Sequence, residues 1–89
     1  MNRQEIYKVL DGERNYQDFK WGSTLSGNRP GNGERSVDEF VLYMEGYMRD
    51  AVHHASHYAE KEKVLDSLRK VAGLAVSCFE QHGCPERKQ

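Results

Sequence analysis

The chain has 89 residues, and its 13 lysines and arginines nearly balance its 14 aspartates and glutamates, giving a formal net charge of −1. We do not expect so neutral a domain to bind long nucleic acid, because that binding depends on clustered positive charge. No apolar run reaches the roughly 18 residues of a membrane span, and the first residues lack the apolar core of a signal peptide. We therefore expect one cytoplasmic domain over residues 1–89, without a membrane partner.

The first helix is predicted over residues 3–20. Its larger apolar residues recur at imperfect helical spacing, and Gly12 weakens the pattern. This stripe contains Ile6, Val9, Leu10, Tyr16 and Phe19. A glycine-rich loop is predicted next, over residues 22–36, because half of the eight glycines lie there. Loops of this length in compact domains are usually functional or mobile.

The second helix is predicted to begin after Ser36 and to run to about residue 60. Ser36 and Glu39 have the spacing of a capping box, in which each side chain accepts a hydrogen bond from the other residue's backbone N–H. Apolar residues follow at intervals of three and four, which predicts one broad core stripe. Its members are Phe40, Val41, Met44, Met48, Ala51, Val52, Ala55 and Ala59.

The third helix is predicted over residues 62–82, ending at Gly83 before a tail at 84–89. Its predicted stripe consists of Val64, Leu68, Val71, Ala72, Ala75 and Phe79. Residues 71–79 are apolar or small around almost the whole helix, so several of their sides must be covered. We therefore expect an all-α fold with three helices per chain, a bundle completed by homo-oligomerisation through residues 71–79.

A candidate ligand site lies at the end of the first helix. Tyr16 and Trp21 could stack on a base, while Lys20 and Arg14 could face phosphate. The alternative is that Trp21 and Phe19 anchor the loop to the core and that water surrounds the charges. Arg69, on the third helix, either projects into the same cleft or lies at the solvated edge of its helix.

Three histidines near the end of the second helix form another polar cluster. His53 and His57 share a face at the spacing of a transition-metal pair, but a metal site needs three or four ligands. The alternative is that both are surface residues and that Asp50 pairs with His54. His54 also stays a candidate for ligand contact.

Two cysteines, Cys78 and Cys84, are present, and we expect both to be reduced. His82 follows Cys78 by one helical turn and could act as a base for its thiol. The alternative is that Cys78 is packed inside the protein.

Three segments resemble a family of small phage and prophage proteins, namely ERNYQDFKWG (13–22), DEFVLYMEGYMRDAVHH (38–54) and LDSLRKVAGLAVSCFEQHGCPER (65–87). The helix pattern is more distantly similar to the MazG-like all-α nucleoside triphosphate pyrophosphohydrolases. That resemblance implies helical oligomers that bind a nucleotide between subunits and hold Mg²⁺ with two pairs of carboxylates. Here the acidic spacing is incomplete, and Arg69 and Lys70 stand where an acidic pair is expected.

Three hypotheses follow. The first is an oligomeric module, without a cofactor, that binds a nucleotide or nucleotide-derived signal; as a phage protein it would sequester a host defence messenger. The second is a Mg²⁺-dependent pyrophosphohydrolase using Glu45, Asp50 and either Glu13 or Glu80. The third is a protein-interaction inhibitor without a small ligand. The incomplete carboxylate pattern favours binding over catalysis. The ligand residues of the first hypothesis are Arg14, Tyr16, Lys20, Trp21, His54 and Arg69.

Overall fold

The computed structural model describes residues 1–21, 35–57 and 60–88, apart from the side chain of Trp21. These ranges contain three helices, α1 (Arg3–Trp21), α2 (Val37–Ala55) and α3 (Lys61–His82), and no strand. The predicted all-α fold is confirmed. The predicted glycine-rich loop, apart from its last two residues, lies outside the described residues, and so does Ala59 of the predicted stripe.

A helix that spans a membrane needs about 20 predominantly apolar residues. None of the three described helices is both long enough and apolar enough to cross a bilayer.

Two of the three helices, α1 and α2, begin with reciprocal side-chain caps. The predicted capping box is confirmed, since Glu39 N–H donates to Ser36 Oγ at 3.1 Å and Ser36 N–H donates to Glu39 Oε1 at 2.8 Å. A similar pair, which the sequence analysis missed, begins α1. There Asn2 N–H donates to Glu5 Oε1 at 2.8 Å, and Glu5 N–H donates to Asn2 Oδ1 at 2.9 Å. Both caps satisfy N–H groups that a helix otherwise leaves unpaired.

The ends of α2 and α3 differ in how well the sequence predicts them. Gly83 follows α3 with a φ of 97°, as its glycine predicts. In contrast, α2 ends at Ala55, about five residues before the predicted end. The Ser56 hydroxyl and the His57 Nδ1–H both donate to the His53 carbonyl, at 2.6 and 2.8 Å. Such side-chain bonds compete with the backbone bonds of a continuing helix.

The apolar core lies between α2 and α3. Phe40, Leu74 and Cys78 are its buried members, and Met44 and Tyr47 pack against them. Residues 40, 44, 47 and 51 share one narrow face of α2, which is the face that meets α3. The broad α2 stripe predicted from the sequence is therefore partly wrong.

Three members of that predicted stripe lie beside the packed face rather than in it. Val41, Met48 and Val52 leave 53, 39 and 65% of their surface exposed within the chain. The reason is geometric: α2 packs on α3 through the narrow face of residues 40, 44, 47 and 51, and these three lie on the flank of that face.

The predicted stripe of α3 is also displaced from the buried side. The buried residues of α3 are Ser67, Gly73, Leu74, Ser77 and Cys78. Leu68 and Phe79, which the stripe includes, remain 41 and 45% exposed. The prediction fails because most of the buried positions of α3 hold small or polar residues, and these allow α1 and α2 to pack closely against it. The remaining side of α3, which we call the open face, contains Leu65, Leu68, Ala72, Ala75 and Phe79.

The first helix packs on α3 through polar side chains. Glu13 and Gln17 are its buried residues, whereas Ile6, Tyr16 and Phe19 are exposed. The imperfect apolar stripe of α1 is thus not the surface that docks. It fails as a predictor because the partner surface of α3 has an arginine and a glycine, Arg69 and Gly73, instead of apolar side chains.

Candidate functional site

The α1–α3 interface centres on a buried carboxylate. Glu13 is only 8% exposed, and its Oε1 accepts a hydrogen bond from Arg69 Nε at 2.8 Å. Its Oε2 accepts from Gln17 Nε2 at 3.0 Å. Both carboxylate oxygens of Glu13 are therefore satisfied, as a buried charge requires.

Arg69 is held by two carboxylates. In addition to Glu13, it forms an ion pair with Asp66 one turn earlier on α3. The hydrogen bond to Glu13, followed by that to Asp66, raises the pKa of Arg69 despite the opposing effect of burial. The structure thus places this predicted phosphate-binding residue within the α1–α3 interface.

Arg14 is held in the same way at the other edge of that interface. Its Nη2 donates to Glu80 Oε1 at 2.6 Å and to Asp18 Oδ1 at 3.0 Å. Burial lowers the pKa of Arg14, but the hydrogen bonds to Glu80 and Asp18 outweigh it, so the net shift is upward. Arg14 and Arg69 both neutralise carboxylates of their own chain.

A small cavity opens beside this interface, where all three helices meet. Its volume is about 90 Å³. We call it the lysine pocket, and its lining residues are Glu13, Tyr16, Gln17, Lys20, Tyr47 and Lys70. Tyr16 and Lys20, which the sequence predicts as ligand residues, are brought together here. Tyr47 and Lys70 join them from α2 and α3.

Lys70 and Tyr47 are the pocket residues that sequence reasoning missed. Lys70 Nζ lies 5.6 Å from the centre of the Tyr47 ring, within the range of a cation–π contact, and 3.3 Å from Asp66 Oδ2. In the sequence, Tyr47 is only a residue flanking the α2 stripe. The one available signal is the basic pair formed by Arg69 and Lys70, whose two members turn out to have different partners.

Two predicted ligand residues are not placed in this pocket. The side chain of Trp21 lies outside the described residues. His54 lies at the end of α2, where its Nδ1–H donates to Glu60 Oε2 at 2.8 Å. That bond, followed by the one from Lys63, lowers the pKa of Glu60. The partner of His54 is therefore Glu60 and not Asp50, which corrects the pairing considered from the sequence.

The carboxylates of the hydrolase hypothesis are dispersed. Glu45 pairs with Arg49 at 3.3 Å, Glu13 is bonded to Arg69, and Glu80 is bonded to Arg14. Across the described ranges, no group of three or more histidine, cysteine, aspartate or glutamate side chains is arranged to hold a metal ion. The described part of one chain thus does not assemble Glu45 and Asp50 with a third carboxylate.

The two cysteines are free thiols, with Cys78 buried and Cys84 exposed. His82 Nε2–H donates to the Arg35 carbonyl at 2.7 Å, and its ring meets the Phe40 ring edge-on at 6.3 Å. These contacts hold His82 against the beginning of α2 and the residue two positions before it, and they give it a structural role. Cys78 belongs to the core, as the alternative interpretation predicted.

Comparison with known proteins gives no match: no family model, no curated protein and no solved structure is similar to this chain. The resemblances to phage proteins and to MazG-like enzymes therefore stay predictions from the sequence.

Proposed function

We propose that this chain is a cytoplasmic helical module that binds a phosphate-bearing small molecule of the nucleotide type. The observation that carries the proposal is the lysine pocket, where two lysines and two tyrosine rings from three helices line one cavity. Lysine ammonium groups attract phosphate, and aromatic rings beside them offer a surface on which a base can stack.

The charge of the pocket supports an anionic ligand. Glu13, its one acidic lining residue, is already paired with Arg69. Lys20 and Lys70 then supply positive charge at the opening, and only Lys70 has an ion-pair partner within the described ranges, namely Asp66. A phosphate group entering the pocket would contact both lysines and would partly replace Asp66 as the partner of Lys70.

The size of the pocket indicates which part of the ligand it takes. Pockets for whole small molecules span roughly 300–1,000 Å³, whereas the lysine pocket has about 90 Å³. It is therefore a subsite for one charged group, and the rest of the ligand lies on the neighbouring surface. The Tyr16 ring, 55% exposed at the rim, is available to that surface.

Binding without turnover is the activity that this arrangement supports. Glu13 and Glu80 are engaged with arginines, and no third carboxylate joins Glu45 and Asp50 within the described ranges, so the residues that would position Mg²⁺ in a pyrophosphohydrolase are not gathered there. A module of this kind would sequester its ligand. In the phage setting that the resemblance implies, the ligand is a nucleotide-derived defence messenger of the host.

We also propose that the module is a homo-oligomer assembled through α3. Residues 65, 68, 72, 75 and 79 alternate steps of three and four, which is the spacing of a helix–helix seam. Of these, Leu65, Leu68 and Phe79 are 53, 41 and 45% exposed within one chain. Val37 of α2 and Phe79 line a common cavity, so the apolar surface continues from α3 onto α2. A second copy packing on this face would cover the third side of residues 71–79.

A thermal-shift series with ATP, GTP and cyclic dinucleotides tests the ligand class. A ligand at 100 times its Kd adds about 2.7 kcal/mol to stability, which raises the melting temperature of a domain of this size by several degrees. Lys70→Ala should abolish the shift, and Lys8→Ala, an exposed lysine of α1 away from the pocket, should preserve it. If no phosphate-bearing ligand changes the melting temperature, the proposal is wrong.

A further inference from the structure

A second groove adjoins the lysine pocket on the surface of α2. It has a volume of about 320 Å³ and is lined by Leu42, Tyr43, Gly46, Tyr47 and Asp50. Tyr47 lines both cavities, so the groove and the lysine pocket adjoin at this residue. A ligand with its charged group among the lysines has this groove as its nearest adjoining surface.

The lining of the groove leaves room for a ring and offers aromatic surface. Gly46 has no side chain, and a Cβ built on it would meet nothing within 4 Å, so the space above its backbone is open. Tyr43 and Tyr47, three residues before and one residue after Gly46, are the two aromatic residues of the lining. The Arg35 guanidinium lies 4.4 Å above the Tyr43 ring, which holds that ring in place.

Asp50 gives the groove one charged group that faces the ligand space. It is exposed and makes no ion pair within the described ranges, because His54, the neighbour one turn further along α2, is bonded to Glu60. An ionised carboxylate only accepts hydrogen bonds, and its two oxygens accept from two adjacent donors at once. The groove is therefore polarised toward a ring that presents two neighbouring N–H groups.

We propose that this groove takes the base of the nucleotide and that Asp50 selects guanine. Guanine is the common base with two adjacent donors on one edge, its ring N1–H and its exocyclic amino group. Adenine and cytosine place an acceptor beside their amino group, which would face the Asp50 carboxylate unfavourably. This inference rests on the proposed function, since the lysine pocket positions the phosphate and thereby directs the base toward α2.

Calorimetric titration of the full chain with GTP, ITP, XTP and ATP tests the selection. A bidentate contact of this kind gives about tenfold discrimination or more, so we expect GTP to bind about tenfold more tightly than ATP. ITP, which lacks the exocyclic amino group, should lie between them. Asp50→Asn should weaken GTP binding and improve the binding of ATP and XTP, because the amide places a donor beside its acceptor and can pair with the ring acceptor of adenine or with the second oxygen of xanthine.

The controls separate this inference from the proposed function. Asp50 is exposed, so Asp50→Asn is expected to fold, and Glu45→Gln offers a matched carboxylate change on the same helix outside the groove. Lys70→Ala should weaken GTP and ATP equally. Equal GTP and ATP affinities in the unaltered chain, or a GTP preference that survives Asp50→Asn, would overturn the guanine assignment and leave nucleotide binding standing. If none of the four nucleotides binds, the proposed function fails and this inference fails with it.

Discussion

Glu13 Oε1 accepts a hydrogen bond from Arg69 Nε at 2.8 Å, joining the first and last helices across 56 positions of the chain. Beside this pair, Gly73 allows α1 and α3 to approach so closely that an added Cβ would meet Gln17 Nε2 at 2.6 Å and Glu13 Cγ at 2.7 Å. The docking of α1 therefore depends on a charge pair and a glycine rather than on apolar burial. The lysine pocket lies at the edge of this contact and shares Glu13 and Gln17 with it, so its shape depends on how α1 packs on α3.

The closest point of that contact is tested by Gly73→Ala. The added methyl group overlaps two buried side chains, and overpacking of this kind costs about 1–3 kcal/mol. We expect a fall of several degrees in melting temperature, measured by circular dichroism at fixed protein concentration. Gly12→Ala is the control, because its Cβ has open space and the change adds about 1 kcal/mol of helix propensity. A Gly73→Ala chain as stable as the Gly12→Ala chain would contradict the close approach.

The ion pair itself is tested by Arg69→Met. This change leaves the Glu13 carboxylate buried without its main partner, which costs about 1–3 kcal/mol. Urea denaturation at pH 7 should show the loss as a lower midpoint. The double variant Glu13→Gln, Arg69→Met should regain part of it, because the uncompensated charge is then gone. Independent, additive effects of the two changes would show that the pair is not coupled.

The capping box predicts a pH dependence of α2. The backbone hydrogen bond from Ser36, and then its side chain, lowers the pKa of Glu39 below the ordinary value of 4.5. A carboxyl with a lowered folded-state pKa contributes its stability above the unfolded value and loses it as pH falls through the folded value. As pH falls below about 4.5, we expect the melting temperature of the wild-type chain to fall relative to that of Glu39→Gln. The glutamine keeps a capping acceptor without titrating, so a difference that is constant from pH 7 to pH 2 would contradict the assignment.

The proposed assembly predicts that a charge on the open face of α3 dissociates the oligomer. Leu68→Glu places a carboxylate at the middle of the apolar seam, where it would be desolvated on association. Light scattering coupled to size-exclusion chromatography should show the mass falling to that of one chain. Tyr7→Glu changes an exposed aromatic residue of α1 away from the open face and should leave the mass unchanged. A wild-type chain that elutes as a monomer would sink the proposed assembly.

Local features of the fold were predictable because their causes are local. The Ser36–Glu39 cap depends on residues three apart, and Gly83 ends α3 through its own backbone freedom. The helix positions and the all-α class follow from such short-range signals. The early end of α2 was missed because the competing bonds of Ser56 and His57 to the His53 carbonyl leave no periodic pattern in the sequence.

The candidate site was predictable only in part. Tyr16 and Lys20 are neighbours on one helix, so their joint position followed from helical spacing. Lys70 and Tyr47 enter the pocket from two other helices, and apart from the basic pair of Arg69 and Lys70 nothing in their local sequence distinguishes them from solvated residues. Arg14 and Arg69 looked available from the sequence, yet each has carboxylate partners that only the packing of α1 on α3 supplies.

The sequence by itself determined the three helices, the cap of α2 and the near-neutral charge, because these depend on residue type and on spacing of a few residues. Tertiary structure decided which face of each helix is buried, because a helix with apolar residues on more than one side has several ways to pack. In the folded chain α1 packs on the side of α3 where Gly73 leaves room for a close approach, and Leu68 and Phe79 remain exposed on another side. In the same packing, the lysine pocket and the groove that Asp50 lines on α2 adjoin at Tyr47.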